Sequence, residues 1–244
     1  MKIALIGYGK MGQLIEKLAM ERGHEIVAKI HINNTEEFTK SNLQKADVAI
    51  EFTGPDSAFE NIKRCIDYNL PVVSGSTGWN ESIESIKVYC KKRNGSFLHA
   101  SNFSIGVNIF FEVNKYLAKL MASHNQEYDV SLKEIHHTQK KDSPSGTAVT
   151  LAEQVLEIFK TKKNWVKGYS TRREDLSIIS ERIDPAPGTH QVKYSSGIDD
   201  IEIIHTAHNR EGFALGAIQA AEYIHDKKGI FTMQDVLQIN KYPF

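Results

Sequence analysis

The chain opens on a short apolar run, Ile3-Ala4-Leu5-Ile6, that breaks at once into Gly7-Tyr8-Gly9-Lys10-Met11-Gly12. No other feature restricts the possible folds so tightly. A Gly-x-Gly-x-x-Gly turn that follows a strand and opens a helix calls for a sharp bend, a bare backbone and a close helix–strand crossing. Those are the requirements of the phosphate-binding turn in a doubly wound parallel sheet. Apolar runs at Glu25 to Ile32, Val48 to Phe52, Val72 to Val73 and Phe97 to Leu98 predict further strands. Between them, Met11 to Glu21 (Leu14, Ile15, Leu18, Ala19) and Ser57 to Tyr68 (Phe59, Ile62, Ile66) have helical spacing. Repeated strand–helix units predict an α/β domain whose ligand lies at the carboxyl edge of the sheet.

After Asn102 the pattern changes. Ile109 to Met121 and Ala148 to Phe159 read as helices and Asp129 to Ile135 as a strand. Ser177 to Ile183, His190 to Ser195 and Ile201 to Ala207 follow as β-rich runs, with Ser196-Gly197-Ile198-Asp199 as a hairpin connection. This predicts a second, α+β domain with a mostly antiparallel sheet. Leu215 to His225 and Met233 to Ile239 return to helical spacing, and the first of these is rich enough in alanine to lie flat on a sheet. We therefore expect residues 1–104 and 212–244 to form the dinucleotide-binding domain and residues 105–211 to be inserted into it as the substrate domain.

Composition excludes several classes. Thirty basic and thirty acidic residues in 244 leave no net charge, so nothing steers the chain toward nucleic acid or an anionic membrane. The first apolar run ends at Gly7, too soon for a signal segment or a span. Cys65 and Cys90 lack the spacing of a zinc site and are too few for a disulfide framework, so no metal and a cytoplasmic location are expected.

The glycine turn predicts a pyrophosphate held by free N–H groups at a helix start, through Gly7, Tyr8, Gly9, Lys10, Met11 and Gly12. The acid that usually follows about twenty residues later and grips a ribose hydroxyl is missing. Ile30-His31-Ile32-Asn33-Asn34 stands there instead. Neither a carboxylate to repel a 2′-phosphate nor an arginine to clamp one is present, so NADH and NADPH are both admissible, with His31 and Asn33 as candidates for the adenosine ribose. Phe52-Thr53-Gly54-Pro55 and Gly75-Ser76-Thr77-Gly78 each follow a strand at the ligand edge, where small residues leave room for a nicotinamide.

The densest chemistry lies in His136-His137-Thr138-Gln139-Lys140-Lys141-Asp142-Ser143-Pro144-Ser145-Gly146-Thr147. Ser143 fits as an N-cap with Pro144 at the first helical position, leaving the N–H groups of Ser145, Gly146 and Thr147 as a cradle for a carboxylate or phosphate. His136 and His137 should face opposite ways and have different roles. Lys140 is fully charged at its ordinary pKa of about 10.4, whereas a histidine near 6.5 needs nearby anions to serve as an acid at neutral pH. Three readings stay open on these residues: a reductase with paired proton donors, another two-domain dehydrogenase with the same first domain, and a nucleotide-sensing regulator.

The stretch Glu134-Ile135-His136-His137-Thr138-Gln139-Lys140-Lys141-Asp142-Ser143-Pro144-Ser145-Gly146-Thr147-Ala148 resembles the signature of the dihydrodipicolinate reductase family. Ala100 to Asn108, Pro187-Gly188-Thr189-His190, His205 to Arg210 and Phe213 to Ala217 are similar to it as well, and the likeness covers nearly the whole length. The resemblance implies NAD(P)H-dependent reduction of a cyclic imine dicarboxylate with loss of water, in the diaminopimelate route to lysine. It implies His136 as proton donor or acceptor, Lys140 as proton donor, and His137, Gly146 and Thr147 as substrate contacts beside Ser145. It also implies Gly7 to Gly12, Gly75, Ser76, Thr77, Ala100, Ser101, Asn102 and Phe103 as dinucleotide contacts, with domain closure over the substrate and a homotetramer joined through the substrate-domain sheets. The chain departs from the family in a first loop one residue short, in Lys10 for arginine, in the missing acid after the second strand and in an abbreviated Ser180 to Gly188.

Overall fold

Alternation and apolar runs settle into eleven strands and eight α-helices among the described residues of the computed structural model, which are 1–241 without the side chain of Asn240. The chain divides into two units, one made of Met1–Ile105 with the described chain from Glu211 onward, the other of Gly106–Arg210.

In the first unit the elements run β1 (Lys2–Ile6), α1 (Lys10–Glu21), β2 (Glu25–Ile30), α2 (Lys40–Leu43), β3 (Val48–Glu51), α3 (Pro55–Asp67), β4 (Val72–Ser74), α4 (Ile83–Lys92) and β5 (Ser96–His99). The second unit contributes α5 (Ile105–Met121), β6 (Asp129–His136), α6 (Gly146–Ile158), β7 (Asn164–Lys167), β8 (Asp175–Arg182), β9 (Gly188–Ser195) and β10 (Asp200–Ala207). The chain then re-enters the first unit as α7 (Glu211–Ile224), β11 (Gly229–Phe231) and α8 (Met233–Val236).

The first sheet has the order β11-β5-β4-β3-β1-β2 and every pairing in it is parallel. It is a doubly wound Rossmann-like sheet whose order reverses between β1 and β3, the point where such sheets bind ligands. Ile15, Leu18 and Ala19 of α1 and Ala214, Ala217, Ile218 and Ala221 of α7 bury Ile3, Leu5, Val48, Ile50, Val73 and Leu98 on one face. Ile62, Ile66 and Cys65 of α3 with Ile86 and Cys90 of α4 bury Ala4, Ile6, Ala49, Val72 and Phe97 on the other. Small residues on α7 let it approach closely: a Cβ on Gly216 would stand 1.8 Å from the Phe103 carbonyl oxygen.

The second sheet runs β10-β9-β6-β8-β7, with two of its four pairings antiparallel where most were expected to be. Ser196 to Asp199 does join β9 and β10 as a hairpin, and β9 is antiparallel to β6 as well. However, β8 and β9 do not pair, because β6 lies between them, and β8 is parallel to both β6 and β7. The sheet is therefore mixed. Its buried face carries Val130 and Leu132 of β6, Leu176 and Ile178 of β8 and Val192 and Tyr194 of β9, packed against Phe110 of α5 and Leu151, Ala152 and Val155 of α6. Asn114, fully buried on α5, donates to the Leu151 carbonyl at 3.2 Å and to Gln154 at 2.9 Å, tying the two helices together.

Two of the expected boundaries move, and two strands are added. Strand β2 stops at Ile30, since Ile32 is exposed in a turn. The helix expected over Met233 to Ile239 ends at Val236, with Gln238 in the left-handed region at φ 55°. Two short strands, β7 and β11, were not anticipated.

Candidate active site

At the carboxyl edge of the first sheet the three glycines have three different surroundings. Gly7 turns at φ 95°, and a Cβ there would lie 2.0 Å from the Phe52 carbonyl oxygen. Gly12 is shut in by the Gly7 carbonyl at 2.4 Å, whereas a Cβ on Gly9 would meet nothing within 4 Å. Two glycines thus make the turn and one leaves its backbone open. Gly9 is also the N-cap of α1, with no side-chain bond to the first-turn N–H groups of Lys10, Met11 and Gly12. An open, positively polarised helix start fits a pyrophosphate. Tyr8 is held to one side by hydrogen bonding to Glu16, and Lys29 pairs with the same carboxylate at 2.5 Å.

His31 sits in the turn after β2, its N–H donating to Asn34 at 2.5 Å and its ring accepting from the Asn33 N–H at 3.3 Å. The loops after β3 and β4 are joined by a residue that the sequence reading did not single out. Glu51, fully buried, accepts from the Thr53 N–H at 2.9 Å, Ser74 at 2.6 Å, Ser76 at 2.8 Å and the Thr53 hydroxyl. Thr53 also donates its N–H to Ser76 at 2.9 Å. The room expected at Gly75 is absent: the Phe52 ring fills it, 2.2 Å from where a Cβ would stand, and the Gly75 N–H bonds to the Glu51 carbonyl. Thr77 is exposed, as is Ser101. Ala100 donates its N–H to the Ser74 carbonyl, and the Phe103 ring lies 5.8 Å from that of Phe52.

In the second unit, alternation along β6 carries Val130 and Leu132 into the core and puts Glu134 and His136 on the same face. Glu134 is fully buried. Its carboxylate lies 3.0 Å from His136 Nδ1, accepts the Ser145 N–H at 3.1 Å, and pairs with Arg182 of β8 at 3.2 Å. Burial, the largest influence on this carboxyl, raises its pKa. The side chains of His136, Ser145 and Ser180 together outweigh that and hold it well below the usual carboxylate range.

Ser145, not Ser143, caps the helix. Its extended backbone (φ −67°, ψ 154°) lets its hydroxyl accept from the Ala148 N–H, so α6 starts at Gly146. The capture of the Ser145 N–H by Glu134 is the physical reason for the shift, and it removes that group from the expected cradle. Gly146 remains exposed, with nothing within 4 Å of a Cβ placed on it, and Thr147 follows it, half-buried.

His190 of β9 completes the cluster. Its Nε2 is 3.1 Å from the Ser145 hydroxyl and 4.0 Å from Glu134, and its ring meets that of His136 edge-on at 5.0 Å. Burial first, and the nearby His136 second, push its pKa down to about 3, so it is neutral near pH 7. His137 follows the last residue of β6 and is half-buried. Lys140 is held by both oxygens of Asp142 at 2.8 Å. Sequence reasoning quoted Glu134, Asp142, Gly188 and His190 inside its motifs but gave them no role. The available signal was a glutamate on the inward phase of an amphipathic strand. Glu134, His136 and His190 bring one carboxylate oxygen and two ring nitrogens within 4.8 Å of one another. The Arg182 guanidinium on that same carboxylate opposes a cation, and we assign no metal there.

Comparison with known proteins gives a consistent result. Two family models match, "Dihydrodipicolinate reductase, N-terminus" over residues 1–103 and "Dihydrodipicolinate reductase, C-terminus" over residues 106–237. A 4-hydroxy-tetrahydrodipicolinate reductase of Christiangramia forsetii is 50% identical over 237 residues, covering 97% of this chain and 98% of that one. One from Buchnera aphidicola subsp. Schizaphis graminum is 33% identical, covering 97% of each. Among solved structures, a dipicolinate-bound dihydrodipicolinate reductase from Paenisporosarcina sp. TG-14 has the same fold, with a TM-score of 0.75 at 23% identity over 96% of this chain and 98% of that one. Among the described residues no helix is long and apolar enough to cross a membrane.

Proposed function

The chain belongs to the dihydrodipicolinate reductase family, and we propose how its two units divide the work of reducing 4-hydroxy-tetrahydrodipicolinate to tetrahydrodipicolinate in lysine and diaminopimelate biosynthesis. The C4 hydroxyl leaves as water, and the bound nicotinamide supplies the hydride that C4 receives. The two alternatives left open by the sequence, another dehydrogenase and a non-catalytic regulator, give way to this family.

The first unit holds the cofactor. Gly9 and the uncapped start of α1 receive the pyrophosphate, Tyr8, Lys10 and Met11 flank it, and His31 lies toward the adenosine ribose. Phe52, Thr53, Ser76, Thr77 and Ala100 to Phe103 frame the nicotinamide half. NADH and NADPH are both used with a modest preference, since β2 ends without an acid or an arginine and Glu37 is engaged by Asn34.

The second unit holds substrate and protons. One substrate carboxylate lies against Gly146 and Thr147 at the start of α6, where the oriented helix dipole and N–H groups favour an anion. His137 adds a contact to the cyclic dicarboxylate. His136 and Lys140 move the protons that accompany loss of water and completion of the product. The observation that carries this reading is the meeting of His136 and the start of α6 on one buried carboxylate, Glu134, which sets proton donor and anion seat within one network. A cytoplasmic homotetramer joined through the second-unit sheets belongs to the same proposal, supported by β10, which leaves Ile201 and Ile204 exposed.

The test follows nicotinamide absorbance with each cofactor while the condensing synthase generates the substrate in place. Oxidation of both cofactors is expected, and oxidation of neither overturns the proposal.

A further inference from the structure

We propose that Glu134 is the positioning residue of the proton centre: its carboxylate holds the Nδ1 proton of His136, so that Nε2 is the nitrogen presented to the substrate, across a gap kept open by Gly188. The proposal rests on the reading of His136 given above and deepens it.

The two ring nitrogens of His136 are not equivalent. Nδ1 and Glu134 Oε2 are both buried, stand 3.0 Å apart, and neither has a hydrogen-bond partner elsewhere among the described residues, so each is the polar atom available to the other. Nε2 lies toward Gly188, where an added Cβ would stand 3.0 Å from it. A histidine whose Nδ1–H is held by a carboxylate keeps Nε2 for chemistry, in one tautomer and one orientation. The second histidine of the cluster is placed so that it does not compete. Ser145 accepts the Ala148 N–H, which leaves its hydroxyl proton to donate to His190 Nε2, and His190 stands at 4.0 Å from Glu134. The same carboxylate also fixes the Ser145 N–H, so one buried charge sets both the direction of the proton donor and the N-cap from which α6 starts. The ionisable groups around His136 are Glu134 on its own strand, Arg182 on β8, His190 on β9, His205 beyond it on β10, and Lys140 with Asp142 in the following loop.

Glu134→Gln keeps the volume and removes the charge. We expect kcat to fall by about tenfold to a thousandfold while the NADH dissociation constant stays at the wild-type value. The pH dependence of kcat should change, because the charge beside the ring is gone. Long-range 1H–15N spectra of the free enzyme, with the His136 signal identified by its loss in His136→Asn, should show a protonated Nδ1 in the neutral wild-type ring and a changed tautomer in Glu134→Gln. Glu134→Asp should restore part of the activity. A wild-type tautomer and pH profile in Glu134→Gln overturn the proposal. The spectrum needs no substrate, so it stays readable even if the assay of the proposed reaction fails. Should Glu134→Gln not fold, Gly188→Ala tests the other half: it should leave the tautomer intact and lower kcat at least tenfold, and wild-type kcat in that variant overturns the assignment of Nε2.

Discussion

Each unit buries one glutamate completely near the carboxyl end of a strand, and the two are satisfied in opposite ways. Glu51 in the first unit is met by neutral donors, namely the Thr53 N–H and the hydroxyls of Thr53, Ser74 and Ser76. Glu134 in the second is met by groups that carry or exchange protons, His136 and Arg182, with His190 nearby. The first carboxylate therefore acts as a staple that gives two loops one shape, bonded to a backbone N–H and hydroxyls and not to a histidine or an arginine. The second is the fixed charge of a titrating cluster. A buried charge is tolerated where its partners satisfy it, and the kind of partner decides whether the result is rigidity or chemistry.

The largest expected effect tests that division directly. His136→Ala and Lys140→Ala should each lower kcat by about a hundred- to ten-thousandfold, the usual contribution of a general acid. Cofactor affinity by calorimetry should be unchanged. Near-wild-type kcat in both variants would break the comparison, because the second unit would then hold no proton chemistry.

Next in size is the response to acid. His190 has its pKa pushed down to about 3 in the folded protein, below the ordinary value near 6.5. As pH falls through that window the unfolded chain takes up a proton that the folded chain refuses, so stability is lost. Between pH 6.5 and 5 the loss is about 2 kcal/mol. Glu134, held low, adds a loss of the same sign once pH drops below the usual glutamate range, since its contribution is present above that range. Urea unfolding of wild type and His190→Asn at pH 7 and pH 5 measures this. Equal pH dependence in the two proteins would remove His190 from the account.

The smallest effect sharpens the contrast from the other side. Glu51→Gln loses a charge but keeps an acceptor, so it should loosen the loops at Thr53 and Ser76 and weaken cofactor binding by about tenfold, roughly 1.4 kcal/mol. The pH profile of kcat should not move. A shifted profile would show that Glu51 too belongs to the titrating apparatus.

The sequence carried much of this where the physics is local. The strand–glycine–helix turn, the apolar runs of the first sheet and the alternation along β6 and β9 are set by near neighbours, and they appear in the structure close to where they were read. What stayed hidden depends on distant partners. Strand β11, three residues long, exists because Gly229 to Phe231 meet Ser96 to Leu98. Strand β7 exists because Asn164 to Lys167 meet Asp175 to Ile178. Insertion of β6 between β8 and β9 is likewise a matter of pairing, which no pattern within β8 or β9 reveals. At the site, two serines two residues apart were equally good caps by composition. Glu134, eleven residues upstream in sequence, decides for Ser145. Gly75 read as open space because its neighbour Phe52, on another loop, could not be placed over it from sequence.

The tight seat of Gly216 on the Phe103 carbonyl has a consequence for how the molecule is made. Helix α7 covers Leu5, Ile50, Val73 and Leu98, residues that leave the ribosome more than a hundred positions before it does. Until then that face of the sheet has α1 alone for cover, and the edge of β5 has no neighbour. The segment 106–210, being continuous, has all its strands in hand first. Domains generally close as units during synthesis, so the inserted unit can be finished while the one that surrounds it still waits for its last helix. That order leaves an apolar surface bare for the time it takes to translate a whole second unit.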